Sequence, residues 1–246
     1  LAVLPFLGGS SIHLMRSEAP GPTTEKIRPK IGQTAKWLYA MYIVLTLCEI
    51  IALACAGLTV FQSTLISFGT LATGGFSYLN SSLAEFTYAQ QVIVEVFMFL
   101  AGMNFSLYFL VVTGKVKKVF RDIELRWYII ILFISILLIS VNVYTVRDQY
   151  DTFGESVHQS VFAVLAAMTS TGFAAYDYNL WPVFSKMILL ILMFVGGCAG
   201  STAGGIKVSR FVLMFKGLRR SLKESINPKE VKVIRYNGKT VSDTVI

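Results

Sequence analysis

The stretch AMTSTGF at residues 167–173 decides how the rest of the sequence is interpreted. A similar stretch, TLATGGF at residues 70–76, lies 97 residues earlier when the glycines before phenylalanine are compared (172 − 75). Each stretch follows an apolar run of about 11 to 14 residues, which is too short to cross a bilayer but suits a re-entrant helix. We therefore expect two short helices that enter the membrane and turn back at these small and hydroxyl-bearing residues.

The two turns predict an ion filter. Backbone outside a helix is tolerated at membrane depth only where it is buried or lines a watery cavity. The carbonyl oxygens of such backbone can replace the hydration shell of a cation. The predicted filter residues are Thr73, Gly74, Gly75, Phe76, Ser170, Thr171, Gly172 and Phe173.

Composition indicates a membrane protein. Of the 246 residues, 54% are hydrophobic and only 15% are charged, whereas soluble domains carry about 25% charged residues. The three cysteines, Cys48, Cys55 and Cys198, all lie in apolar segments. They form neither a secreted disulfide framework nor a CxxC metal pair, so we interpret them as structural thiols.

An internal repeat organises the chain. Gly9, Gly102 and Gly197 lie in three apolar segments that run into basic stretches, and their spacings are 93 (102 − 9) and 95 (197 − 102) residues. The unit is a spanning helix, a re-entrant helix, a turn and a second spanning helix. We predict an all-α polytopic membrane protein made of such helix–pore-loop–helix units around a central ion pore, like a potassium channel.

The repeat divides the sequence into four parts. Residues 1–33 are the end of the last helix of repeat 1 and a cytoplasmic linker, residues 34–121 are repeat 2, residues 122–222 are repeat 3, and residues 223–246 are a linker to a missing repeat 4. Two filter segments are too few for a four-fold carbonyl cage. We therefore expect this sequence to be an internal piece of a longer protein.

The predicted helices follow from the lengths of the apolar segments. Spanning helices are expected at residues 34–60, 88–113 and 127–146, short helices at 61–71 and 155–168, and an interrupted segment at 181–222.

Charge placement predicts the orientation. Lys and Arg cluster at residues 16–36, at 115–126 and from 207 onward. The tracts that contain the two turns, residues 61–91 and 147–186, have only Arg147 and Lys186 as basic residues. Because basic loops stay on the cytoplasmic side, we expect the filter loops to face outward. This placement explains the net charge of +8 without a nucleic-acid partner.

A glycine-rich run interrupts the second helix of repeat 3. Residues 196–205 contain five glycines, each of which costs a helix about 1 kcal/mol relative to alanine. We predict a flexible gate below the filter, and close helix packing through small residues is the alternative. A phosphate-binding loop is excluded, because Lys207 is followed by valine rather than Ser or Thr. The predicted gate residues are Gly196, Gly197, Gly200, Ser201, Thr202, Gly204 and Gly205.

Two carboxylates lie within predicted spans, Glu49 and Glu95. Such residues are costly in a membrane and are usually functional or paired. For Glu95 we favour a hydrogen bond that holds a re-entrant helix in place. Because Glu49 and Glu95 belong to different helices and no His or Asp clusters with them, we do not expect an enzyme. His158 is interpreted as structural.

The repeated unit, the turns ending Gly75-Phe76 and Gly172-Phe173, and the run at residues 196–207 resemble the Trk/Ktr/HKT superfamily of potassium transporters. The basic linkers are most similar to those of its bacterial TrkH branch. The resemblance extends over essentially the whole sequence, and the glycine-rich run is its most specific element.

The resemblance implies four repeats around one potassium pore in the bacterial cytoplasmic membrane. It also implies a homodimer and a cytoplasmic nucleotide-binding regulatory subunit of the TrkA type. Potassium would be the only bound cofactor, held by the backbone carbonyls of Thr73, Gly74, Gly75, Ser170, Thr171 and Gly172, and residues 196–205 would gate the pore.

Other modes of transport stay open. Two of the four filter segments have no match in this sequence, and neither turn contains the Thr-Val-Gly-Tyr-Gly run of potassium channels. The alternative is a secondary transporter for sodium or a coupled substrate, built on discontinuous helices. We expect such a transporter to have a broken helix in both complete repeats, and the sequence shows a clear break only in repeat 3.

Overall fold

A computed structural model describes residues 31–146, 152–226, 235–237 and 239–240. The predicted end of repeat 1 and most of its linker lie outside these residues. The described helices are α1 (Ile31–Cys55), α2 (Val60–Leu71), α3 (Tyr88–Ala101), α4 (Phe105–Val112), α5 (Val116–Phe120), α6 (Ile123–Val146), α7 (Phe153–Met168), a 3-10 turn (Tyr178–Leu180), α8 (Val183–Phe194) and α9 (Val208–Ile226).

Two described helices are long and apolar enough to cross a membrane, α6 and the part of α1 from Lys36 to Cys55. Large apolar side chains cover their outer surfaces, among them Ile51 and Phe133, which are 62% and 66% exposed. Such a surface suits contact with lipid rather than water. The predicted spans at residues 34–60 and 127–146 each correspond to one helix with shifted ends. Helix α1 begins three residues earlier than predicted and ends at Cys55, and α6 begins four residues earlier, at Ile123.

The predicted second span at residues 88–113 is wrong in one respect, because it is not one continuous helix. It consists of α3 and α4, whose axes meet at 94°. Gly102 ends α3, and a Cβ at this position would overlap the hydroxyl of Tyr128. Asn104 then begins α4 by accepting a 2.8 Å hydrogen bond from the Ser106 amide, as a helix cap does. Both complete repeats therefore have an interrupted second helix.

The two short helices lie where the sequence predicts them. Helix α2 has 12 residues and begins with a reciprocal cap, in which Thr59 and Gln62 each bond the other's backbone amide. Helix α7 has 16 residues and begins where Thr152 accepts a hydrogen bond from the amide of Glu155.

Helix α7 is the centre of the described fold. It packs against α3, α6 and α8, and Phe162 and Met168 on it are fully buried. The hydroxyl of Ser156 donates a 2.9 Å hydrogen bond to the carbonyl of Ser140 on α6. Between apolar helices, hydrogen bonds of this kind fix how the helices approach. The turn at the end of α7 is therefore held on a rigid support.

A small hairpin is the exception to the all-α prediction. Strands β1 (Arg235–Tyr236) and β2 (Lys239–Thr240) pair antiparallel. Between them, Asn237 accepts a hydrogen bond from the Ile123 amide and donates one to the Asp122 carboxylate. The hairpin thus docks on the start of α6, within a segment that was expected to be only a linker.

Candidate functional site

The turns that follow α2 and α7 share a backbone hydrogen bond at the same position. The amide of Gly75 donates to the carbonyl of Gly69 at 3.1 Å, and the amide of Gly172 donates to the carbonyl of Ala166 at 3.0 Å. Both bonds span six residues (75 − 69 and 172 − 166). The two turns are therefore copies of one structure, as the repeat predicts.

The backbone of both turns enters the left-handed region at alternate residues. Thr73 and Gly75 have φ of 52° and 64°, and Ser170 and Gly172 have φ of 59° and 78°. The residue between each pair has no positive φ. Left-handed backbone is uncommon for threonine and serine, and such strain is concentrated at functional sites. In ordinary extended backbone, successive carbonyls point to opposite sides; alternating the sign of φ turns them towards the same side.

The two turns lie directly against each other. A Cβ at Gly75 would overlap the carbonyl oxygen of Thr171, so only glycine permits this approach. A Cβ at Gly69 would lie 3.0 Å from the ring of Phe173. Residues almost one hundred positions apart in sequence are therefore neighbours at one place in the fold.

The two predicted filter phenylalanines have different environments. Phe173 is 1% exposed, whereas Phe76 is 80% exposed. The turn of repeat 3 also has its own support, because the Ala174 amide donates to the Ser82 hydroxyl and the Leu83 amide donates to the Ala174 carbonyl. The loop between α2 and α3 thus braces the turn that follows α7.

The predicted gate residues form a closed loop between α8 and α9. At its neck, the Gly196 amide donates to the Ile206 carbonyl, and the Ile206 amide donates to the Phe194 carbonyl, each at 3.0 Å. A short parallel bridge joins Val195 to Ile206. The two half-helices therefore stay connected at the neck while the ten residues between project as a loop.

The loop lies against both turns and against the break between α3 and α4. The Thr73 hydroxyl donates a 2.9 Å hydrogen bond to the Thr202 carbonyl, and a Cβ at Gly204 would lie 3.0 Å from the Ser170 hydroxyl. The Cys198 amide donates to the Gly102 carbonyl at 2.9 Å, and the Phe105 amide donates to the Gly200 carbonyl at 3.0 Å. The loop therefore occupies the junction of the two repeats.

The sequence predicts a flexible loop from its glycine content, but these hydrogen bonds hold the loop in place. Gly196 and Gly197 are buried, and a Cβ at Gly197 would lie 2.8 Å from the Gly102 carbonyl. The glycines here serve close backbone contact. Moving the loop from this position requires several backbone hydrogen bonds to break, each with a net worth of about 1 kcal/mol.

Sequence reasoning missed Glu124. This residue is 4% exposed, and its Oε1 accepts hydrogen bonds from the Ala199 amide at 2.6 Å and the Ser209 amide at 3.1 Å. A signal was available, since Glu124 is an acidic residue inside the basic stretch at residues 115–126 and lies just before the uncharged span predicted at residues 127–146.

Glu95 contacts the short helix of repeat 3, where the sequence predicts a hydrogen bond. The contact in the structure is an ion-pair approach, with Oε1 of Glu95 3.1 Å from Nδ1 of His158 on α7. The other ring nitrogen of His158 lies 3.0 Å from Oε1 of Gln91, and the ring lies 4.3 Å from that of Tyr88. Three residues of α3 thus surround one histidine of α7. Within the described ranges, no three His, Cys, Asp or Glu side chains are placed to hold a metal ion together.

Comparison with known proteins agrees with this arrangement. The sequence model of the TrkH family, described as a cation transport protein, matches residues 1–246. The potassium uptake protein TrkH of Escherichia coli K12 is 35% identical, over 100% of this chain and 51% of its own length. TrkG of the same organism is 34% identical and covers the same shares. These names denote transport proteins rather than enzymes, as the sequence analysis predicts.

The crystal structure of the potassium transporter TrkH from Vibrio parahaemolyticus has the same fold. Its TM-score is 0.84 at 32% identity, covering 96% of this chain and 50% of that one. This likeness confirms the predicted class of helix–pore-loop–helix membrane fold. This chain spans about half the length of these relatives. Because the family match extends over all 246 residues, the chain belongs to the TrkH family of cation transport proteins.

Proposed function

We propose that this chain supplies two filter segments and the gate of a potassium transport protein. The observation that carries the proposal is the pair of similar turns with alternating positive φ, placed side by side so that Gly75 faces the carbonyl of Thr171. Two strained turns in contact suit the binding of a dehydrated cation by backbone carbonyls. The names of the relatives make potassium the proposed ion.

The six carbonyls of residues 73–75 and 170–172 are the proposed ligands. Carbonyl oxygens coordinate a hard cation without a charged side chain, so the ion can enter and leave quickly. The remaining ligands belong to the part of the protein outside this chain. Since neither turn contains the full potassium-channel filter sequence, we expect weaker discrimination between potassium and sodium than in those channels.

The loop at residues 196–205 is the proposed gate. Its support is its position, since Thr202 is bonded to the filter residue Thr73 and Gly204 lies beside Ser170. The test is to delete residues 198–203 from the full-length protein, which keeps the neck at Gly196 and Ile206. We expect higher potassium flux per folded protein in vesicles and weaker dependence on the regulator. A well-folded deletion variant with wild-type flux and regulation contradicts the gate. Loss of folded protein instead supports a packing role.

The surroundings of the pore complete the proposal. Arg210 and Arg219 are exposed on α9, and basic segments stay on the cytoplasmic side, so the filter turns face outward across the bacterial cytoplasmic membrane. Helix α9 then leads from the gate towards the cytoplasm. A nucleotide-binding regulator of the TrkA type contacting this region, and a homodimer of the full-length protein, follow from family membership. Co-purification and the mass of the detergent-solubilised complex test both.

A coupled secondary transporter is the second candidate, and one observation favours it. Both complete repeats have an interrupted second helix, at residues 102–104 and 195–207, and discontinuous helices are typical of such transporters. Vesicles with the full-length protein separate the two mechanisms. A channel-like pathway carries potassium only down its own electrochemical gradient. A coupled transporter accumulates potassium against that gradient when a sodium or proton gradient is imposed.

A further inference from the structure

One carboxylate joins the loop, helix α6 and helix α9. Glu124 lies in the first turn of α6, while Ala199 lies in the loop and Ser209 in the first turn of α9. Both amides donate to the same oxygen, Oε1 of Glu124, at 2.6 Å and 3.1 Å. Helix α6 is one continuous segment that is long and apolar enough to cross a membrane, so Glu124 attaches the loop to a rigid element.

The chemistry of these contacts makes them strong. The first amides of a helix have no partner within the helix, and a negative charge at a helix start is favourable. Hydrogen bonds from an amide to a carboxylate are about twice as strong as those between neutral groups. The Ala199 and Ser209 amides thus share a charged acceptor, whereas the Gly196 and Cys198 amides of the loop donate to backbone carbonyls.

We propose that Glu124 is the positioning residue that sets the resting place of the gate. Its carboxylate clamps Ala199 and the start of α9 together, so that the loop stays under the filter until α9 is displaced. The inference rests on the proposed gate and deepens it, because it states how movement of α9 reaches the loop. When α9 is displaced, the hydrogen bond from the Ser209 amide to Glu124 is lost. The carboxylate is then less firmly fixed, so it holds the Ala199 amide of the loop less strongly.

The rate at which Cys198 reacts with a thiol reagent measures how often the loop leaves the position that the clamp sets. Cys198 is 0% exposed and directly precedes Ala199, so a thiol reagent reaches it only when the loop leaves its place. The experiment uses the full-length protein in vesicles, with the other cysteines replaced, and measures the rate at which Cys198 is modified. Glu124→Gln keeps the shape and one neutral acceptor, whereas Glu124→Leu removes both the charge and the acceptor.

We expect modification of Cys198 to become several-fold faster in Glu124→Gln and at least about tenfold faster in Glu124→Leu, from the strength of charge-assisted hydrogen bonds. The matched control is Asp122→Asn, two residues earlier, whose side chain hydrogen-bonds Leu125 and Asn237 and, like that of Glu124, acts electrostatically on the Cys198 thiol. It removes a nearby charge without removing the clamp, so its rate should change much less than that of Glu124→Leu. Should the Glu124 variants not fold, Ser209→Pro removes one donor in the first helical turn, where proline is accepted, and should raise the rate by a smaller factor.

Potassium flux measured on the same vesicles distinguishes a failure of the proposed clamp at Glu124 from a failure of the proposed gate. Faster modification together with higher flux supports both the clamp and the gate. Faster modification with unchanged flux supports the clamp and contradicts the gate. Wild-type protection of Cys198 in Glu124→Leu, or in Ser209→Pro if the former does not fold, overturns the clamp whatever the flux.

Discussion

The hydroxyl of Thr73 donates a hydrogen bond of 2.9 Å to the carbonyl oxygen of Thr202, which lies 129 residues later in the chain. Thr73 belongs to the proposed filter of repeat 2, and Thr202 to the proposed gate of repeat 3. A side-chain hydrogen bond therefore joins the two proposed elements, in addition to packing. We expect a displacement of either element to strain or break this bond.

Removing this hydroxyl should favour the displaced position of the loop. Thr73→Val keeps the side-chain shape and loses the donor, whereas Thr73→Ser keeps the donor. A net worth of about 0.5 to 1.5 kcal/mol for one hydrogen bond predicts about a two- to tenfold rise in potassium flux for the valine variant. Flux per folded protein in vesicles measures it. Equal flux in the valine and serine variants would show that the bond has no influence on the gate.

A methyl group at Gly75 should prevent the two filter turns from meeting. In Gly75→Ala the new Cβ overlaps the Thr171 carbonyl, and the left-handed backbone adds about 1 to 2 kcal/mol of strain. We expect little folded protein. The control is Gly154→Ala in the first turn of α7, where a Cβ meets nothing within 4 Å and alanine favours the helix by up to about 1 kcal/mol. Yield and thermal stability of the detergent-purified full-length protein measure both, and similar values for the two variants contradict the contact.

The pair formed by Glu95 and His158 should show energetic coupling. Each residue is buried, and removing one partner leaves the other buried with an unsatisfied polar group. In a double-mutant cycle with Glu95→Ala and His158→Ala, we expect the double variant to lose about 1 to 3 kcal/mol less than the sum of the single losses. Denaturant titration of the folded protein measures these free energies. Strict additivity would mean that the contact does not hold α7 in place.

The repeat and the short helices could be predicted from the sequence because they depend on local pattern and length. The similarity of residues 70–76 to 167–173 and the short apolar run before each are visible without coordinates. The capping residues Thr59 and Thr152 also follow from local chemistry. These features place α2, α7 and both turns within a few residues.

The break in repeat 2 could not be predicted from local pattern. A single Gly102 in an apolar segment is usually compatible with a continuous helix. The bend follows from contacts with distant residues, because the Gly102 carbonyl accepts from Cys198 and the Phe105 amide donates to Gly200. The role of Glu124 was hidden for the same reason, since its two donors lie 75 and 85 residues away.

The predicted orientation can be tested by labelling. Ala84 and Thr152 are exposed on the side of the filter turns, and Lys118 and Arg219 are exposed on the basic side. In a background without reactive cysteines, single Ala84→Cys and Thr152→Cys variants should react with an impermeant thiol reagent applied from outside intact cells. Lys118→Cys and Arg219→Cys should react only after the cells are permeabilised, so that the reagent reaches the cytoplasmic side. The reverse pattern contradicts the orientation that the charges predict.

The potassium-to-sodium permeability ratio of Gly172→Ser in the full-length protein tests the proposed filter most directly. Gly172 has φ of 78° and lies beside the carbonyls of Ser170 and Thr171, so a side chain there strains the backbone that holds the ion. The ratio is measured from flux or zero-current potentials in vesicles, with Gly154→Ala as the matched control. We expect the ratio to fall clearly in Gly172→Ser and to stay at the wild-type value in the control. An unchanged ratio in a folded, conducting Gly172→Ser protein would contradict the proposed filter.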